Sequence, residues 1–149
     1  MASLRNFLKD KRYILIPLKR INTNHYEIIA TVNGVEGRFI LDTGASGTCV
    51  GMHKAEKFNL QHKATASDVK AAGAGGTGME TLIAKGNHIQ IGSWERKRFP
   101  IILFDMVHVN TALLEHHANP VDGIIGADIL KKGKAIIDYN KNCVYLKSI

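Results

Sequence analysis

Short apolar runs recur along the chain and are separated by turn residues, which is the pattern of a domain built from many short strands. Most of these runs are rich in β-branched or aromatic residues, the types that favour strands. Asn33-Gly34, between two such runs, predicts a two-residue hairpin turn, because both turn positions need a positive φ. The predicted strands are Tyr13–Leu18, His25–Val32, Val35–Leu41, Thr81–Ile91 with a break near Gly86-Asn87, Trp94–Phe104, Lys134–Tyr139 and Cys143–Lys147.

Helical patterns are few and short. One helix is predicted near His53–Phe58, and a second over Asp128–Lys132, where Gly126-Ala127-Asp128 provides a start and Gly133 a stop. The pattern therefore predicts an all-β fold, a small closed barrel or sandwich with one or two short helices.

The length of 149 residues fits one domain. The first dozen residues are polar and basic, so we expect residues 1–12 to form a loose, flexible arm and residues 13–149 to form the domain. Cys49 and Cys143 lie among apolar or β-branched neighbours, which favours buried, reduced thiols and a reducing compartment. The apolar run Tyr13–Leu18 is too short for a signal sequence or a membrane span, so we expect a cytoplasmic protein.

The formal net charge of +7 is unevenly distributed. Six basic residues and one acidic residue fall in the first twenty positions, and Arg96-Lys97-Arg98 forms a second basic group. Such groups attract nucleic acid or anionic membranes, but no aromatic residues are interleaved with them. The charge is therefore interpreted as a solvated basic surface, and nucleic acid is not an expected partner.

One acidic residue lies in a position that favours chemistry. Asp42 directly follows the apolar strand that ends Phe39-Ile40-Leu41 and precedes the small residues Thr43-Gly44-Ala45-Ser46. Taken alone, Asp-Thr-Gly predicts a turn as readily as a catalytic group. The later chain adds two segments in order: the glycine-rich stretch 71–78 and, about eighty residues after Asp42, the stretch 121–130 with its Ile124-Ile125-Gly126 core.

This ordered set of motifs resembles the retropepsin-like aspartic peptidases, the family of retroviral proteases and their single-lobe cellular and bacterial relatives. The resemblance extends roughly from Tyr26 to Leu146 and implies a small closed acid-protease barrel, active as a homodimer. It implies that Asp42 is catalytic and that Thr43, Gly44 and Ala45 form the active-site loop and the dimer lock. The other implied positions are the supporting apolar-apolar-Gly motif, Ile124, Ile125 and Gly126, and the flap, Gly73, Ala74, Gly75, Gly76, Thr77 and Gly78.

Two positions depart from the retroviral pattern. Retroviral members typically carry acids where this chain has Ser46-Gly47, and an arginine where it has Ala127. The family uses those positions as an ion pair near the dimer edge. The joint replacement is interpreted as a coordinated one that leaves the site intact, and it weakens the inference that the dimer edge is built in the retroviral way.

The chemistry explains the need for two chains. Amide hydrolysis by carboxylates needs one group to take a proton from water and a second to protonate the carbonyl oxygen. Asp-Thr-Gly occurs once here, and a twofold homodimer would bring two copies of Asp42 together on its axis. We therefore predict an aspartic endopeptidase acting on extended polypeptides. The alternative is a non-catalytic peptide-binding or dimerisation module with the same fold.

Other site types fit less well. The segment Gly73–Gly78 satisfies G-x-G-x-x-G, but the following residues predict a strand instead of the helix that a dinucleotide site needs. His116-His117 and the other histidines lack metal-site spacing, and Ser46 has no nucleophile elbow. Asp122, Asp128 and Asp138 precede neither Thr-Gly nor Ser-Gly, so turn, cap and strand-end roles are expected for them. No cofactor or metal is expected.

Overall fold

The structure, a computed structural model, describes residues 3–60, 64–66 and 80–148. These residues form short strands, three α-helices and a 3-10 turn over Met52–Lys54. The strands are β1 Tyr13–Pro17, β2 Lys19–Arg20, β3 Tyr26–Val32, β4 Val35–Leu41, β5 Cys49–Gly51, β6 Ala64–Ala66, β7 Leu82–Ile91, β8 Trp94–Phe104, β9 Gly123–Ile125, β10 Ile136–Asp138 and β11 Cys143–Lys147. The helices are α1 Leu4–Lys9, α2 Val107–Glu115 and α3 Ala127–Lys132.

Six strands close into a barrel in the order β3-β4-β9-β5-β8-β7, and β7 pairs back onto β3 to complete it. Large apolar side chains such as Phe39, Phe58 and Trp94 are buried in its core. Alternation explains the placement of Phe39 in β4 and Trp94 in β8, because every second residue of a strand faces the interior, whereas Phe58 enters from the turns after Lys54. The all-β prediction and its closed barrel are confirmed.

The predicted hairpin between β3 and β4 is present. Asn33 and Gly34 have φ values of 50° and 82°, as a two-residue turn requires, and Val32 pairs with Val35 across it. The predicted break in β7 also occurs, since Gly86 has a φ of 78° and the pairing with β8 shifts between Ala84 and Asn87. Local turn chemistry thus fixes the register of the β3–β4 hairpin, and the break at Gly86 shifts the register between β7 and β8.

Two strand pairs that flank the candidate site are parallel. β4 runs parallel to β9, with Leu41 opposite Ile125, and β5 runs parallel to β8. Parallel neighbours end at the same edge of a sheet. The residues that follow β4 and β9, Asp42 and Gly126, therefore meet although they are far apart in sequence.

The chain ends form a second sheet, with strand order β1-β11-β10. The segment expected to be a loose arm contains α1, whose start is capped by the Ser3 hydroxyl accepting from the Asn6 N–H at 3.1 Å. Leu8 of α1 is 3 % exposed and packs against Cys143 and Tyr145 of β11. The sequence analysis missed this short helix because it interpreted the basic residues of the segment as a loose arm.

The helix predictions had mixed outcomes. α3 begins one residue earlier than predicted and ends at Gly133 as expected. The predicted helix near His53–Phe58 is wrong in type, because only a 3-10 turn over Met52–Lys54 and further turns form there, and Asn59 has a φ of 58°. α2 was missed, since its β-branched residues lower helix propensity. No described helix combines the length and apolarity that a membrane span would need.

Candidate active site

The Asp42 loop begins where β4 ends, and its backbone is tied to β9. The Asp42 N–H donates to the Ile125 carbonyl at 3.0 Å. The Gly44 N–H donates to Asp42 Oδ1 at 2.8 Å, and the Ala45 N–H donates to the Asp42 carbonyl at 3.2 Å. The turn therefore orients the carboxylate with its own backbone before any other chain is involved.

Thr43 and Gly44 are exposed on the surface of the single chain, whereas Asp42 is half-buried. A Cβ added at Gly44 would lie 3.2 Å from Asp42 Oδ1, so a larger residue here would crowd the carboxylate. The loop thus presents an acid and two small or hydroxylated neighbours at an accessible surface.

The Ile124, Ile125 and Gly126 motif lies directly beneath this loop, in β9 and the residue after it. The Ala127 N–H donates to the Ala45 carbonyl at 2.7 Å. A Cβ at Gly126 would lie 2.7 Å from the Ala45 oxygen and 2.8 Å from the Gly47 oxygen, both backbone atoms. The two motifs pack so closely that glycine is required between them.

A hydrogen-bonded cross-link that the sequence analysis missed joins the same two segments. Thr48 is 1 % exposed, and its N–H and hydroxyl donate to Asp128 Oδ2 at 3.0 Å and to Oδ1 at 2.7 Å. The Thr48 hydroxyl also accepts from the Gly126 N–H at 3.1 Å, while Asp128 Oδ1 accepts from the Ile129 N–H at 2.8 Å. We call these four bonds the Thr48–Asp128 cross-link. Asp128 lies inside the first turn of α3, whose N-cap is Gly126, and so is not the cap that was expected; it supports the loop that follows Asp42.

The cross-link lies close to the departures from the retroviral pattern, Ser46-Gly47 and Ala127. It provides a neutral hydroxyl and a carboxylate where those departures remove an ion pair. The only sequence signal for it was a threonine three residues after Ala45 and an aspartate two residues after Gly126.

Cys49 is buried beside the site, and its thiol donates to the Gly47 carbonyl at 3.1 Å. Burial, helped by the charges of Asp128 and Asp42, raises the pKa of the Cys49 thiol to about 12. The thiol therefore stays protonated at neutral pH. It is not available as a thiolate nucleophile.

A cavity of about 410 Å³ opens beside Asp42. Ile40 and Ile124 form part of its floor, and α2 forms one wall. Among the residues that the structure describes, no group of three or more His, Cys, Asp or Glu side chains could hold a metal ion. The predicted flap residues Gly73, Ala74, Gly75, Gly76, Thr77 and Gly78 lie outside the described residues.

A closed barrel in which an Asp-Thr-Gly loop packs against an Ile-Ile-Gly strand defines the class of retropepsin-like aspartic proteases. The chain belongs to the aspartyl protease family, whose model matches residues 28–129. No curated protein sequence matches the chain.

Solved structures show the same fold. A retropepsin-like aspartic protease from Rickettsia conorii superposes with a TM-score of 0.60 at 20% identity, covering 90% of this chain and 89% of the other. The retroviral protease-like domain of Ddi1 from Leishmania major gives 0.56 at 19% identity, covering 83% and 88%. EIAV protease, complexed with the inhibitor HBY-793, gives 0.53 at 21% identity, covering 76% and 86%.

Proposed function

We propose that the protein is an aspartic endopeptidase in which a water molecule is activated between two Asp42 carboxylates, one from each subunit of a homodimer. The observation that carries this proposal is the Asp42 loop. Its carboxylate is oriented by the Gly44 N–H at 2.8 Å, and its loop is seated on the Ile-Ile-Gly strand. Membership of the aspartyl protease family supports the same reaction and a polypeptide substrate.

The need for a second chain follows from the chemistry. Two carboxylates within hydrogen-bond distance share one proton, because both cannot ionise side by side. The ionised group takes a proton from water as the water oxygen attacks the carbonyl carbon, and the protonated group gives its proton to the carbonyl oxygen. The carboxyl group that took the proton from water then gives it to the amide nitrogen, while the other carboxylate takes a proton from a diol hydroxyl. The C–N bond breaks, a carboxylic acid and an amine leave, and the two carboxylates again share one proton.

The exposed loop suits a position on a twofold axis. An isologous interface brings identical residues together, so an exposed Asp42 loop can meet its own copy. In this proposal Thr43 forms hydrogen bonds across the axis, and Gly44 allows the substrate backbone to approach. Gly73–Gly78 would form the flap that covers an extended peptide.

The cysteines support a location for this activity. Cys49 and Cys143 are both free and buried, which fits a chain that stays reduced. We propose that the enzyme acts in the cytoplasm.

The test is peptide cleavage by the wild type and by Asp42→Asn, followed by mass spectrometry from acid to neutral pH. The wild type should cleave, and the variant, which keeps the shape but not the acid, should not. Cleavage by Asp42→Asn near the wild-type rate would refute the role of Asp42. A dimer that binds peptides without cleaving them would instead favour the peptide-binding module.

A mixing experiment tests whether two chains form one site. With the wild-type amount held fixed, an equal amount of Asp42→Asn should reduce activity to about half, because half of the wild-type chains then pair with an inactive partner. The subunits must be mixed unfolded and refolded together so that they exchange. Unchanged activity after exchange would place the complete site within one chain.

A further inference from the structure

We propose that the cavity beside Asp42 is a substrate subsite for acidic side chains, chiefly glutamate, and that His25, His108 and His116 determine this preference. The inference rests on the proposed peptidase function, since a substrate side chain reaches this cavity when the scissile bond lies at Asp42. It adds a substrate class that the reaction by itself does not specify.

The cavity has an apolar floor and a polar rim. Ile40, Leu113 and Ile124, each no more than 5 % exposed, belong to one buried cluster and line its floor. Its volume of about 410 Å³ suits one large side chain. Asp42 lines the same cavity, so the side chain held there lies next to the reacting bond.

Helix α2 places two of the histidines. His108, Ala112 and His116 follow one another at intervals of four residues and so lie on one helical face. All three line the cavity, and the small Ala112 between the two imidazoles leaves it open. His25 lines it as well, from the start of β3, and its Nδ1 lies 2.8 Å from the Thr23 hydroxyl.

The wall formed by α2 is held in place from both sides. Asn110 exchanges two hydrogen bonds with the Val121 backbone, at 2.9 and 3.3 Å. The Asn22 side chain donates to the His117 carbonyl at 3.2 Å, which ties the helix end to the turn before β3. The cavity therefore exists before any substrate enters, so binding does not have to order its walls.

The charge pattern of the rim favours an anion. Among described residues, the cavity lining contains three histidines, no lysine or arginine, and Asp42 as its one acid. The other acids of adjoining elements do not line it. Glu27 of β3, opposite Ile40, pairs with Arg38 at 3.8 Å. Asp105 accepts from the Val107 N–H, Glu115 is exposed, and Asp122 contacts two lysines. Lys19 and Arg20 of β2, the strand next to β3, are exposed and add positive charge.

Glutamate fits this combination. Its methylene groups match the apolar floor, and its carboxylate can accept hydrogen bonds from protonated imidazoles at the rim. His116 Nδ1 lies 2.9 Å from the Ala112 carbonyl and so donates to it, which leaves Nε2 to contact a substrate carboxylate. Protonated histidines would repel lysine and arginine side chains. Glutamine would keep the shape of glutamate but not its charge.

The preference should depend on pH in a defined direction. An imidazole is ordinarily charged below about pH 6.5, and a glutamate side chain above about pH 4.3. Attraction is therefore greatest between those values and is lost at pH 8, where imidazoles are neutral. Because a twofold dimer contains the cavity twice, the same preference is expected on both sides of the scissile bond.

The experiment compares kcat/KM for paired peptides that differ only by Glu or Gln next to the scissile bond. At pH 5.5 the wild type should prefer the Glu peptide by about tenfold, the effect expected of a charge-assisted hydrogen bond, and at pH 8 the ratio should fall to about one. The double variant His108→Asn with His116→Asn should lose most of the preference at pH 5.5. His117→Asn is the matched control, because His117 does not line the cavity and asparagine tolerates its φ of 58°.

A second variant tests the cavity itself. Ala112→Leu fills the space between the imidazoles at an exposed helical position where leucine is a good helix former. It should cut cleavage of the Glu peptide relative to a peptide with alanine at the same position. If wild-type preferences do not change with pH and neither variant alters them, the subsite inference is wrong while Asp42-dependent cleavage keeps the peptidase proposal intact. If the wild type cleaves no peptide, both fall together.

Discussion

The Asp42 loop and the layer behind it differ in burial and in the hydrogen bonds and close contacts that hold them. The Asp42 loop carries exposed residues, Thr43 and Gly44, and is oriented by short-range bonds within its own turn. Directly behind it, the Thr48–Asp128 cross-link and the glycine contact at Gly126 join segments about eighty residues apart. In the proposed mechanism the loop carries the chemistry, and the buried layer behind it keeps the loop in place.

The substitution with the largest expected effect removes the function of the Asp42 loop without disturbing the layer behind it. Asp42→Asn should lower kcat/KM at least about a thousandfold, because the shared-proton chemistry is lost. Its free energy of unfolding should stay within about 0.5 kcal/mol of wild type, since the residue is near the surface and the Gly44 N–H can still donate to the amide oxygen. Activity assays and urea denaturation at one fixed chain concentration measure both. Strong destabilisation would show that the loop is not energetically separate from its support.

Gly126→Ala should destabilise the layer behind the Asp42 loop. The added Cβ would lie 2.7–2.8 Å from two backbone oxygens, and backbone cannot move aside as a side chain can. We expect a loss of about 3 kcal/mol of stability, with activity falling through displacement of the loop. Gly47→Ala is the matched control, since its Cβ would meet only the end of the Ile102 side chain at 3.0 Å. Equal stability losses in the two variants would contradict the role of close backbone packing.

Removing one hydroxyl from the cross-link should have a smaller effect. Thr48→Val keeps the shape but deprives Asp128 and the Gly126 N–H of a buried partner, which should cost about 2 kcal/mol. Thr48→Ser keeps the hydroxyl and should recover most of that loss. Urea denaturation of the wild type and the two variants measures these differences in the free energy of unfolding. A valine variant as stable as the wild type would contradict the role of the hydroxyl.

The sequence predicted local features of this fold better than long-range ones. The bounds of β4, β8 and β11 and the Asn33-Gly34 turn follow from alternation and turn chemistry, which are properties of neighbouring residues. The short strand β5, the parallel pairs and the Thr48–Asp128 cross-link depend on residues far apart in the chain, for which no local pattern exists. α2 was missed for a different reason, because its helix forms on the barrel despite several β-branched residues.

In the candidate site, too, the residues of the motifs were predicted, and residues brought together only by the fold were not. Asp42, Gly44 and Gly126 were predicted as one unit from motifs whose order along the chain resembles that of the retropepsin-like family. The histidines of the cavity were dismissed because none has the spacing of a metal site. His108 and His116 are eight residues apart, and this spacing could be interpreted only once helix α2 was known.

The smallest expected effect concerns Cys49, which lies between the Asp42 loop and the layer behind it. Because burial raises the pKa of its thiol to about 12, the native thiol should react very slowly with iodoacetamide at pH 8 and rapidly in urea, as measured by mass spectrometry. The raised pKa of Cys49 also makes the free energy of unfolding depend on pH. In the unfolded chain the thiol ionises near its ordinary pKa of 9.0, while in the native state its pKa is raised to about 12 and it stays neutral up to that pH. Stability from this group is therefore complete below pH 9 and declines as the pH rises towards 12. Cys49→Ala should remove that decline, whereas rapid labelling of the native protein at pH 8 would show that the layer behind the loop opens far more often than its burial implies.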